Sequence, residues 1–256
     1  MDREEKKAHS PIIVGHRGGL LDYENTMACF KLAIETNIPC IEFDVYLTKD
    51  NVPIIIHGSE EHEIEFENEE ACITGDMKVA DLTYEQIQSI KLPNGEGIPT
   101  FEELLKLCKD KIRLNVELKD PNLALCPVVD EMLKKYEFNP KEVIISSFNH
   151  DSCRRMREIN PEYEFGFLYE HYDKMDPDYY LTNGGTCIVS YNLLTEELVE
   201  NCREKDMPVA IYFPSIQKED SKYYKSLSDF GVRYCISDMP LEAIEYYQKS
   251  STDKDE

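Results

Sequence analysis

The sequence predicts an α/β fold, a (β/α)8 TIM barrel carrying a small inserted segment after its second strand. Three observations point there. Short apolar runs alternate with amphipathic segments for nearly the whole length, which implies parallel strands joined by crossover helices. The chain has 256 residues, and eight such repeats occupy roughly 250. Ionisable residues gather where several strands end, as they do at the C-terminal mouth of a barrel, and this favours the barrel over a doubly wound open sheet.

Taken in order, the expected strands are Ile12–Gly15, Cys40–Val45, Ile54–His57, Arg113–Leu118, Val143–Ser146, Phe165–Leu168, Cys187–Val189, Val209–Phe213 and Tyr234–Ser237. Each is a short apolar run bounded by turn residues. Counting Cys40–Val45 and Ile54–His57 as one bent or paired unit leaves about eight repeats. The helices between them are expected at Asn25–Thr36, Thr100–Lys109, Leu123–Tyr136, His150–Ile159, Thr195–Lys205, Glu219–Phe230 and Leu241–Gln248. Thr100-Phe101-Glu102-Glu103 and Thr83-Tyr84-Glu85-Gln86 are capping boxes, each marking a helix start. The stretch 58–99 breaks the rhythm, being long, polar and acidic (Glu60-Glu61-His62-Glu63-Ile64-Glu65-Phe66-Glu67). It reads as an insertion beside the mouth, a small lid or cap carrying a short helix over Thr83–Ile90. A single barrel domain is expected over 11–249, with frayed tails at 1–10 and 250–256.

Composition narrows the function classes. The chain is 41% hydrophobic and 31% charged, as a soluble globular protein is, and no apolar run approaches the roughly 20 residues of a membrane-spanning helix. The N-terminal Met1-Asp2-Arg3-Glu4-Glu5-Lys6-Lys7 has no apolar stretch behind it, so no secretory signal and a cytoplasmic location are expected. Nine cysteines, an odd number with no C-x-x-C pair, lie mostly in apolar stretches and read as reduced and buried. With 28 basic against 51 acidic side chains the formal charge is 28 − 51 = −23, which argues against a nucleic-acid partner and against stable membrane insertion. A phosphate bound by such a chain needs local cations, and a divalent metal is the strongest of them.

The loaded strand ends are His16-Arg17, Glu42 with Asp44, His57, and Glu117 with Lys119. Residues two apart in a strand share a face, so Glu42/Asp44 and Glu117/Lys119 are same-side pairs. Three carboxylates, two imidazoles, one Lys and one Arg make a metal-plus-phosphate site if those ends converge. Glu42 and Asp44 sit in an otherwise apolar strand and need compensation, either from one divalent cation or from ion pairs with Lys119 or Arg17. An all-oxygen ligand set favours Mg²⁺ or Ca²⁺ over zinc. His16 is placed for proton transfer and Arg17 for gripping phosphate oxygens; the alternative is a capped turn with a solvated Arg. His57 could equally be a structural histidine, and Glu117/Lys119 a neighbouring ion pair. His9, His62, His150 and His171 lie in polar stretches and read as surface residues.

As a set these segments resemble the glycerophosphodiester phosphodiesterase family. The resemblance is carried by Gly15-His16-Arg17-Gly18, Glu24-Asn25-Thr26, Ile41-Glu42-Phe43-Asp44-Val45, Thr48-Lys49-Asp50, Pro53 through His57, Ile98-Pro99-Thr100-Phe101-Glu102-Glu103 and Val116-Glu117-Leu118-Lys119. Ser146-Ser147-Phe148 and Gly231-Val232 through Ser237-Asp238-Met239-Pro240 look like that family's later strands. The resemblance implies Glu42, Asp44 and Glu117 as metal ligands, His16 and His57 as an acid/base pair, Arg17 and Lys119 as phosphate contacts, and Phe148 near the substrate's alcohol side. It implies a small-molecule phosphodiester substrate, such as glycerophosphocholine or glycerophosphoethanolamine, cleaved to glycerol 3-phosphate and an alcohol. A lysophospholipase D acting on lysophospholipids and a non-catalytic phosphate-binding barrel are the alternatives. The chain departs from the family pattern at Gly58, where Asp usually follows the second histidine, in the acidic stretch 59–70, at Tyr23 and at Tyr212. The first two departures bear on the orientation of His57 and on the head-group pocket.

Overall fold

Side chains that alternate along each strand serve two cores at once, one inside the closed sheet and one between sheet and helices. The structure, a computed structural model, describes residues 10–19, 24–58, 78–92, 94–170, 184–214 and 218–252. Strands β1 (Ile12–Gly15), β2 (Cys40–Leu47), β4 (Arg113–Leu118), β5 (Val143–Ser147), β6 (Glu164–Tyr169), β7 (Thr186–Ser190), β8 (Val209–Tyr212) and β9 (Tyr234–Ser237) run parallel in that spatial order. Because β1 pairs with both β2 and β9, the sheet closes into the predicted barrel. The remaining strand, β3 (Pro53–Ile55), folds back antiparallel on β2, so the two runs counted together in the sequence are a hairpin. It ends short of His57, but the Ile56 amide still donates to the Asp44 carbonyl at 3.2 Å, which carries the chain up beside Asp44.

Among the described residues the helices are α1 (Met27–Glu35), α2 (Tyr84–Gln88), α3 (Phe101–Cys108), α4 (Leu125–Lys135), α5 (His150–Ile159), α6 (Glu196–Glu204), α7 (Tyr224–Phe230) and α8 (Pro240–Thr252). Both capping boxes form: Thr83 with Gln86 opens α2, and Thr100 with Glu103 opens α3. In β2, Ile41, Phe43, Val45 and Leu47 face the helices with the main core, while Cys40 joins Val14, Ile144, Leu168, Ile188, Ala210, Tyr234 and Ile236 inside the barrel. Gly166 has to be small there, since a Cβ would come within 2.4 Å of Ile188 Cδ1. The second half of the insertion rests on the β2–β3 hairpin through Tyr46, Ile54, Ile56, Val79, Ile87, Leu92 and Ile98.

His150 corrects the surface reading. It opens α5 on the side facing β6, where its Nε2 lies 2.9 Å from the Leu168 carbonyl and its ring packs 5.2 Å and 4.7 Å from Phe167 and Tyr169. His9, His62, His171, Tyr23 and the acidic stretch 59–70 lie outside the described residues. Eight cysteines within them are all free and buried.

Candidate active site

The interior face of β2 reads Cys40, Glu42, Asp44, Tyr46 from floor to mouth, so period-2 geometry alone lifts two carboxylates above the apolar floor. Strand β4 does the same with Asn115 and Glu117, and its register sets Asp44 opposite Glu117. One oxygen each from Glu42, Asp44 and Glu117 lies within 4.8 Å of the others, and all three residues are buried.

The turn after β1 completes this wall. Arg17 takes a left-handed φ of 49°, and Gly18 and Gly19 follow at 99° and 96°. A side chain at Gly18 would also run into Cys29 Sγ at 2.6 Å. That backbone brings the Arg17 amide onto Glu42 Oε2 at 3.0 Å, with the Arg17 guanidinium 3.6 Å from Asp44 Oδ2 and donating to Glu24 at 2.9 Å. Asn25 Nδ2 donates to Asp44 Oδ2 at 2.9 Å. Lys119 reaches in from β4, 3.0 Å from Glu117 Oε1 and 3.7 Å from Asp44 Oδ1, with its ammonium 5.3 Å over the Phe148 ring.

The two imidazoles sit differently. His16 Nδ1 shares a 2.6 Å hydrogen bond with Asp238 Oδ1, and its Nε2 lies 3.9 Å from Glu42 Oε2. Burial and Arg17 oppose a proton on this ring, but the Asp238 bond and the charges of Glu42 and Asp238 outweigh them and raise its pKa. His57 Nδ1 is buried with no hydrogen-bond partner among the described residues. Burial drives His57 down to about 3, with Asp44 pulling the other way and Arg17, Lys119 and His16 adding to the fall.

The carboxylates register the crowding. Burial and the neighbouring Asp44 push Glu42 up to about 8, and Glu42 Oε1 has no hydrogen-bond partner among the described residues. Asp44, also buried, is held at about 2 by Lys119, His57 and Arg17. Three buried carboxylates facing one Arg and one Lys leave negative charge uncompensated, and Glu42 Oε1 goes without a hydrogen bond among the described residues. The residues therefore fit a divalent cation held through oxygen ligands.

All seven residues singled out at strand ends meet at this mouth, while Phe148, 37% exposed, stands on the rim with its ring centroid 6.1 Å from Tyr212. Sequence reasoning missed Asp238 as the partner of His16. It follows β9 two positions after the inward-facing Ile236, the same strand-end placement that marked the others. Asn25 and Glu24 were legible only as a motif, without their contacts to Asp44 and Arg17.

Fold and site together define an α/β-barrel protein with an acidic pocket that fits a cation, ringed by Arg17, Lys119 and two imidazoles. The profile of the glycerophosphoryl diester phosphodiesterase family matches residues 15–242. A glycerophosphodiester phosphodiesterase from Caldanaerobacter subterraneus subsp. tengcongensis is 31% identical over 93% of this chain and 98% of its own. The crystal structure of a candidate glycerophosphodiester phosphodiesterase from Galdieria sulphuraria superposes with a TM-score of 0.82 at 25% identity, covering 94% of this chain and 98% of that one. A phosphodiesterase from Oleispira antarctica, solved with the product sn-glycerol-3-phosphate, has the same fold at 20% identity and a TM-score of 0.81, covering 93% and 97%. The chain belongs to the glycerophosphoryl diester phosphodiesterase family and is a phosphoric diester hydrolase.

Proposed function

We propose that the chain hydrolyses glycerophosphodiesters, such as glycerophosphocholine or glycerophosphoethanolamine, to glycerol 3-phosphate and an alcohol. The observation that carries this reading is the meeting of Glu42, Asp44 and Glu117 oxygens within 4.8 Å beside Arg17 and Lys119. A divalent ion, Mg²⁺ or Ca²⁺, held by those three carboxylates would draw charge from a phosphoryl oxygen. Arg17 and Lys119 grip the remaining phosphate oxygens, where charge grows in the transition state. His16 and His57 divide the proton work: one takes the proton of the attacking hydroxyl, and the other delivers a proton to the departing alkoxide. The glycerol's own neighbouring hydroxyl is the favoured nucleophile, because intramolecular attack gains from proximity; the cyclic phosphate it forms is then opened by water.

The test is release of glycerol phosphate from both diesters with Mg²⁺, with Ca²⁺ and with chelator, beside His16→Ala and Glu42→Ala. Metal-dependent release that falls roughly 10²-fold or more in His16→Ala supports the reading. No release with either ion sinks it. A cyclic glycerol phosphate trapped by rapid quench supports internal attack, and its absence in a competent enzyme points to direct attack by water.

A further inference from the structure

A further buried carboxylate stands behind the site, in the connection from β8 to α7. Glu219 is 7% exposed. Its Oε1 accepts from the Tyr224 and Ser237 hydroxyls, both at 2.7 Å. Its Oε2 accepts from the backbone amides of Asp238 at 2.8 Å and Met239 at 3.2 Å. One side chain thus ties the turn 237–239 at three consecutive residues and anchors it to Tyr224, the fully buried first residue of α7. Burying a carboxylate is a costly way to pack a turn, and an apolar residue of similar volume would serve packing as well or better. What the carboxylate adds is direction, since a polar side chain whose two terminal atoms reach all four of these groups fixes the amide of Asp238.

That amide belongs to the residue whose Oδ1 holds His16 Nδ1 at 2.6 Å. Aspartate has a single methylene, so any movement of its backbone passes almost undiminished to the imidazole. We propose that Glu219 is a positioning residue for phosphodiester hydrolysis: it locks the backbone at Asp238, and Asp238 in turn aims the His16 ring so that Nε2 faces the pocket. The assignment rests on the reading of His16 as a proton-transfer residue. Misplacing a reacting group by about 1 Å can reduce turnover on the order of 10²-fold, so a clamp at this distance has a kinetic signature.

The experiment compares Glu219→Ala, Glu219→Gln, Asp238→Ala and the Glu219→Ala/Asp238→Ala double variant on glycerophosphocholine and glycerophosphoethanolamine with Mg²⁺. Histidine ¹⁵N NMR reads which His16 nitrogen carries the proton. Glu219→Ala is expected to lower kcat roughly ten- to a hundredfold, with KM within about threefold of the parent. Glu219→Gln recovers to within about threefold, because its carbonyl oxygen still accepts from the two amides while its NH₂ donates to the two hydroxyls. In the Asp238→Ala background, losing Glu219 costs less than about twofold, since the element it positions is already gone. The His16 Nδ1 proton signature of the parent disappears in Glu219→Ala. A Glu219→Ala protein with parental kcat, losses that multiply in the double variant, or an unchanged His16 signature overturns the proposal. Should Glu219→Ala not fold, Glu219→Asp, which withdraws the carboxylate by one methylene, enters the same comparison. A His16→Ala protein that keeps its turnover refutes the acid/base reading, and the NMR result then decides the clamp by itself.

Discussion

The barrel carries a polar cluster at each end, and the two are balanced in opposite ways. At the floor, Glu164 Oε2 accepts from the Tyr234 hydroxyl at 2.9 Å and faces Arg113 at 3.5 Å and Arg233 at 3.4 Å, while Oε1 takes the Thr186 hydroxyl at 3.3 Å. One carboxylate meets two guanidiniums and two hydroxyls, so its charge is fully answered and both its oxygens have partners. At the mouth, Glu42, Asp44 and Glu117 meet Arg17 and Lys119, and Glu42 Oε1 is left without a hydrogen bond among the described residues. A satisfied cluster needs nothing further and acts as a plug. An under-compensated one costs stability and is retained for what it binds. Barrels separate these tasks by end, with stability at the N-terminal face and chemistry at the C-terminal one.

Neutralising the mouth is the strongest way to test the contrast. Glu42→Gln should lower kcat/KM on the order of 10³-fold while making the metal-free protein more stable, because a carboxylate raised to about 8 by burial and Asp44 is a folding burden when ionised. The pH dependence follows from the same shift. A carboxyl with a raised native pKa binds more protons folded than unfolded, so stability falls as pH rises between its ordinary value and about 8. His57, held near 3, acts in the opposite sense below pH about 6.5, and His16, whose pKa is raised, adds to the fall above it. Chelated protein should therefore lose stability from pH 6.5 to 8, more steeply than Glu42→Gln. Urea midpoints across that range measure it, and an equal or steeper slope in Glu42→Gln breaks the account.

The floor should answer in reverse. Glu164→Ala strands two guanidiniums and two hydroxyls at the base of the barrel, and about 1–3 kcal/mol of stability should go with it. Turnover should stay within about threefold of the parent at a temperature where the variant is folded, since Glu164 lies at the start of β6 and the reactive groups at the opposite ends of their strands. A large kcat loss with normal stability would show that the two ends are coupled.

How much of this was legible in the sequence depended on the range of the physics involved. Two-residue alternation through Cys40–Val45 and Arg113–Leu118 is local, and it put Glu42 with Asp44 and Glu117 with Lys119 on shared faces before any fold was known. Capping boxes are local too, and α2 and α3 begin where Thr83 and Thr100 put them. The Asp238–His16 pair joins residues 222 apart, made neighbours only when β9 closes on β1, and no spacing rule reaches that far. His150 was misjudged for a related reason: polar neighbours in sequence say nothing about the strand a helix start will lie upon. The β2–β3 pairing was readable only as an unresolved unit, because alternation gives faces and not partners.

The smallest expected effect lies on the rim of the mouth, at Phe148. The Phe148 ring stacks under Lys119 at 5.3 Å, so it could serve the site by holding that ammonium over its face or simply by offering apolar surface to the substrate's alcohol. A cation–π contact at an exposed position is worth about 0.5–1 kcal/mol, which puts Phe148→Ala at roughly two- to fivefold lower kcat/KM. Phe148→Leu separates the two roles, since it keeps apolar bulk and removes the ring face. If Lys119 depends on the ring, Leu behaves like Ala and the loss appears equally with glycerophosphocholine and glycerophosphoethanolamine, because both present the same phosphate. If the ring serves the alcohol, Leu restores most of the activity and any residual deficit differs between the two head groups.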